Sequence, residues 1–117
     1  NVPDVVVIVP KRFGLQAWME EGDRPGQPWS GVEWYFYLGA AVPKISPMER
    51  VYVAYDGILR GYSPLIRVER FSHACALVRH GGAVAVTIAR RVPPFRGFRY
   101  RDWEYAEEQP FPEWHIA

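Results

Sequence analysis

Between Arg90 and Trp103 the chain reads RRVPPFRGFRYRDW, an interleaving of arginines with aromatic rings. A guanidinium presents a planar fork of donors that matches a phosphate. An aromatic face offers a platform on which an unpaired base can stack. Together these are the groups needed to hold single-stranded nucleic acid or a flipped base. The same stretch has a period of two. In FRYR it sends Phe98 and Tyr100 to one side of a strand and Arg99 and Arg101 to the other. That pattern equally suits a strand whose rings enter a core and whose arginines meet water, Glu104 or Glu107. Of the fourteen basic residues only Lys11 and Lys44 are lysines, which leaves twelve arginines, five of them between Arg90 and Arg101. Such an excess fits planar recognition of anions, and a GC-rich genome also produces it.

Other chemistries have less support. His73, His80 and His115 are scattered, and no HxH, HxxxH or HExxH spacing occurs, so no metal site and no cofactor is expected. No stretch fits GxxxxGK[ST] or GxGxxG. The hydroxyls Ser30, Ser46, Ser63, Ser72 and Thr87 lack a GxSxG elbow. Cys75 lies in an alternating apolar run and reads as a small buried hydrophobe. Glu20, Glu21 and Glu33 are the carboxylates that an aromatic pocket could turn into an acid or base. Their plainer reading is a solvated helix end and a charge at a strand edge. No catalytic residue is assigned.

Length and composition set the frame. One hundred and seventeen residues, 49% apolar and 15% aromatic, suit one domain with one core spanning 1–117. A formal net charge of +1 gives no global basic field. The longest apolar run, Val5–Val9, is far short of the roughly 20 residues that span a bilayer, so no membrane partner is expected. One cysteine excludes an internal disulfide. With no charged-then-apolar leader pattern in view, a reducing, cytoplasmic compartment is expected.

The elements that must position these residues are mostly strands. Val5–Val9 is all β-branched and reads as a strand buried on both faces. Residues 13–21 (FGLQAWMEE) carry a helical stripe of Leu15, Trp18 and Met19, with Gly22 as C-cap. Residues 22–31 form a Gly- and Pro-rich loop that holds Trp29. Residues 32–38 read as a strand with Trp34, Phe36 and Leu38 on one face and Glu33, Tyr35 and Tyr37 on the other. Ser46 and Pro47 could open a single helical turn. Asp56-Gly57 joins residues 51–55 to 58–68 as a type I′ hairpin. A two-residue turn places Val53 opposite Arg60 and Tyr52 opposite Gly61, where the ring would cover bare backbone. Arg60 would then need the barrel mouth or an acidic partner. Pro64 marks a bulge or an edge. Residues 74–79 and 83–89 read as a second hairpin across His80-Gly81-Gly82. The expected fold is mainly β (α+β), a small barrel of about six to seven strands with one short N-terminal helix.

The order of parts resembles the PUA-like superfamily of small β-barrels, which includes the ASCH and EVE groups. The resemblance rests on a helix running into a Gly-containing loop (WMEEGDRPGQPW), a strand reading ILRGYSPL after Asp56-Gly57, the Gly57–Gly61 spacing, and a closing strand after a Pro/Gly turn. It implies RNA or modified-base binding in a cleft between the first helix and the barrel. That cleft would be lined by Trp18, Trp29, Trp34 and Tyr55, with Arg60, Arg96, Arg99 and Arg101 at its rim. The ASCH pattern G-x-K-x-x-E-x-R is not kept, because Gly22 is followed by Asp23-Arg24-Pro25, so no hydrolase residues carry over. The favoured expectation is a non-enzymatic module for single-stranded nucleic acid or a modified base. The alternatives are a protein-interaction module and a small nucleoside or RNA hydrolase using a glutamate.

Overall fold

The computed structural model describes residues 4–9, 33–81, 84 and 86–110. The expected helix over residues 13–21 and the loop over 22–31, with Trp18 and Trp29, lie outside the described residues. The strands are β1 (Val5–Ile8), β2 (Glu33–Leu38), β3 (Arg50–Tyr55), β4 (Ile58–Arg70), β5 (Cys75–His80), β6 (Val86–Thr87), β7 (Phe98–Tyr100) and β8 (Gln109–Pro110), with one 3-10 turn at Tyr105–Glu107. Six of them form a sheet in the order β2-β5-β4-β3-β1-β7, curled into a half-barrel, while β6 and β8 pair separately. The protein is mainly β, as its alternating runs require.

Val5 to Val9 sits inside this sheet, parallel to β3 and antiparallel to β7. Both faces of β1 are covered. Val5, Val7 and Val9 join a cluster with Val51, Val53, Leu65 and Leu77, against which Trp34, Phe36, Tyr55 and Phe98 pack. This cluster draws on all six strands, so it fills the inside of the curl. Val6 joins Tyr52, Ala54, Leu59, Ile88, Val92 and Trp103 on the opposite face. There the segment after β6 lies over the sheet and closes a second core.

The Asp56-Gly57 turn has φ of 54° and 78°, the paired left-handed conformations of a type I′ turn. The expected register holds only beside the turn, at Tyr55–Ile58 and Ala54–Leu59. Beyond it Val53 faces Gly61 and Tyr52 faces Tyr62, so Arg60 is the extra residue of a bulge. Tyr52 therefore does not cover Gly61. Its ring tilts against Tyr62 at 5.2 Å. A second irregularity leaves Ile66 unpaired with β5, one residue after Leu65. Pro64 does not end β4. It sits where the strand passes from pairing with β3 to pairing with β5, and the two bulges bend it there.

Two local expectations are corrected. Residues 46–49 form a β-turn, with Glu49 N donating to Ser46 O at 3.1 Å and Met48 at φ 76°. A positive φ at the third position stops any helical continuation. The second hairpin does not form either. β5 already has β2 on one edge and β4 on the other, so the chain after Gly81 finds no free edge on it. It turns to β4 instead, where Tyr62 and Val84 exchange backbone bonds of 3.1 and 2.9 Å, and then to β8.

Candidate functional site

The segment that closes the second core also builds a cleft. Its apolar floor is Val6, Ile88, Val92 and Trp103, and Arg90, Arg91 and Arg99 stand around it with Phe95 and Asp102. The cleft measures about 60 Å³, room for a few waters and small beside the roughly 300 Å³ at which pockets for organic ligands begin.

Each guanidinium is aimed by a separate contact. Val92 N donates to Gly57 O at 2.9 Å, which ties the segment to the hairpin turn, and Arg91 Nη2 donates to Asp56 O at 3.0 Å. A Cβ on Gly57 would stand 2.5 Å from that same Nη2, so the glycine leaves the space in which Arg91 lies. Arg99 projects from β7 with its guanidinium 5.1 Å from the centre of the Phe95 ring. Arg90 Nη2 donates to Asp102 Oδ1 at 2.9 Å, in a pair whose side chains are 50% and 70% exposed. The bond to Asp102 holds the Arg90 guanidinium firmly protonated. Three cations and one carboxylate face one small space.

Beneath the cleft lies a partly buried polar network. The Asp4 carboxylate accepts from Arg50 N at 2.9 Å, Arg101 Nε at 3.0 Å and Tyr105 OH at 2.6 Å. Arg101 N also donates to Asp4 O, and Arg101 Nη1 to the Trp103 carbonyl. Glu108 accepts from Arg50 Nη1 at 3.0 Å, from Trp103 Nε1 at 3.0 Å and from the Tyr52 hydroxyl. The Arg50 guanidinium lies 4.1 Å from the Tyr62 ring centre and 4.2 Å from that of Tyr105. Burial, reinforced by the Glu108 carboxylate, pushes the Tyr52 hydroxyl well above its ordinary range and keeps it a donor. Every partner here is another protein group, so the network holds β1, β3, β7 and the chain before β8 together and fixes Trp103 as the floor above it.

Neither a family model, nor a curated protein, nor a solved structure matches the chain. The site is therefore read from its own residues.

Of the residues the sequence pointed to, Arg99 lies in the cleft, and Arg90, Arg91 and Phe95 join it from the same Arg90–Trp103 segment. Arg96 is exposed at the turn beside Gly97 and does not line the cleft. Arg101 is only 10% exposed and belongs to the Asp4 pair. Trp34 and Tyr55 pack on the core inside the curl, away from the cleft. Arg60, at its bulge, lies 5.7 Å from the Tyr55 ring centre. Of the lining expected from the resemblance, the described members Trp34 and Tyr55 are thus not at this cleft. Tyr100 reaches its edge, but its ring packs edge-on to Phe98 at 5.5 Å and its hydroxyl accepts from Lys44 N.

The glutamate reading loses its described member. Glu33 receives two bonds of 2.9 Å from the Arg67 fork on the outer face of β2. Those bonds hold its carboxyl below the usual range, opposite to what a general acid needs. Glu20 and Glu21 lie outside the described residues. On the same outer face Tyr37 is 72% exposed and stacks on Tyr35. Cys75 is buried, and burial pushes its thiol up, as expected for a packing residue. Arg79 was not foreseen. It is fully buried in β5, donating to Ser63 Oγ, which in turn donates to His80 O at 2.7 Å. Among the described residues no group of three His, Cys, Asp or Glu could hold a metal ion, and no helix is long and apolar enough to cross a membrane.

Proposed function

We propose that the protein binds single-stranded nucleic acid through its backbone, with Arg90, Arg91 and Arg99 taking a phosphate at the cleft. The observation that carries this reading is the convergence of three arginines on one small concave space offset by a single carboxylate. Arg91 is held by a carbonyl and Arg99 by a ring, so neither spends its charge on a protein anion among the described residues. The Arg99 plane over Phe95 offers a stacking surface at the rim for a neighbouring base. A cleft of about 60 Å³ suits a phosphate with its waters better than an enclosed modified base. The PUA-like resemblance points to the same ligand class.

The test is a fluorescence-anisotropy titration of a labelled single-stranded oligonucleotide at several salt concentrations. One phosphate seated at the cleft predicts a log–log salt slope of about −0.7, steeper by the same amount for each further phosphate of the strand neutralised beside it. Arg91→Ala and Arg99→Ala should each weaken binding and flatten that slope, whereas Arg67→Ala, on the outer face of β4, should change neither. A flat salt dependence, or equal losses at Arg67 and Arg99, would overturn the proposal.

A further inference from the structure

Among the three cleft arginines only Arg90 is oriented by an anion. Arg91 is aimed by the Asp56 carbonyl and Arg99 by the Phe95 ring, both neutral groups that leave the guanidinium charge available. Arg90 instead donates through Nη2 to Asp102 Oδ1 at 2.9 Å, and the same nitrogen lies 3.4 Å from the Asp102 carbonyl. Asp102 is the one carboxylate lining the cleft among the described residues. Its side chain is 70% exposed, and among the described residues no side chain other than Arg90 bonds its carboxylate. A carboxylate oxygen accepting from a guanidinium occupies the position that a phosphate oxygen would take. The pair is also cheap to open, since exposed ion pairs contribute little.

We infer that Asp102 is a displaceable internal anion that fills the Arg90 seat until a phosphate replaces it. The inference rests on the proposed phosphate-binding role of the cleft and adds how that cleft selects its ligand. A free anion with no contact elsewhere on the protein meets two available arginines and a competing carboxylate. A nucleic-acid phosphate, held also by neighbouring contacts along the strand, swings Asp102 out to solvent and engages all three. No bond is made or broken beyond this exchange of hydrogen-bond partners.

The test is a double-mutant cycle on the full chain, with a labelled single-stranded oligonucleotide as probe and wild type, Asp102→Asn, Arg90→Ala and the double variant compared. Asp102→Asn should bind about two- to fivefold more tightly than wild type. Its salt slope should be steeper by as much as about 0.7, because no displaced carboxylate is left to take up a counterion. That gain should vanish in the Arg90→Ala background, because it acts through Arg90. Asp102→Ser, which also removes the charge, should repeat the result, and unchanged circular dichroism would show each variant folded. Binding detectable only in Asp102→Asn would also support the inference. An equal gain with and without Arg90 would mean a change of net charge alone and overturn it, as would no gain. Binding by none of the four proteins would overturn the phosphate-binding reading itself, a result distinguishable from wild-type binding without an Asp102 effect.

Discussion

At the residue scale, arginines of one segment have divided into different tasks. Arg99 on β7 and Arg101 just beyond it are two residues apart, yet one stands at the cleft and the other is 10% exposed. Asp4 makes the difference. Its carboxylate, 5% exposed, takes Arg101 Nε and the Tyr105 hydroxyl on one oxygen and Arg50 N on the other. Removing one member of such a pair leaves a buried charge uncompensated, which costs about 3–5 kcal/mol. Asp4→Ala should therefore lower unfolding free energy by about that amount in urea titrations. A loss below about 1 kcal/mol, the range of surface pairs, would show that the Asp4–Arg101 pair is not structurally needed. Nothing in the local residues separated Arg99 from Arg101, because the acidic partner is 97 residues away in the chain.

At the element scale, the Asp56-Gly57 hairpin carries both fold and site. Its turn geometry was legible, since few dipeptides accept two left-handed residues in succession. The bulge at Arg60 was not. A bulge exchanges one ladder pair for bend and twist, and whether that is favourable depends on how β4 must curve to reach β5. The turn also supports the cleft through Asp56 O and Gly57 O. Gly57→Ala should destabilise the protein by about 1–2 kcal/mol, since φ is +78° there. It should also weaken oligonucleotide binding, because the new methyl must push Arg91 Nη2 from its place. Thermal melts and anisotropy would separate the two effects. If stability falls and affinity does not, the turn does not aim Arg91.

At the scale of the whole molecule, the two cores share β1 and β3, whose alternate residues face opposite sides of the sheet. Leu77→Ala inside the curl and Trp103→Ala outside it should thus lower one common transition, by about 2–5 and 3–5 kcal/mol respectively. Circular dichroism and tryptophan fluorescence should give coincident curves for each. Two separated transitions would mean that the layer bearing the cleft folds independently.

By itself the sequence determined the β class, the doubly buried first strand, the two faces of β2, the Asp56-Gly57 turn and the segment on which the arginines gather. These follow from side-chain period, β-branching and turn chemistry, which act over a few residues. Only the tertiary structure decided that Val84 bridges to β4 and β6 pairs with β8 instead of β5, and that Arg101 is structural while Arg90 and Arg91 reach the cleft. The physical reason is the same in each case. A strand's free edge, and the nearest opposite charge for a guanidinium, are set by segments distant in the chain that folding brings alongside.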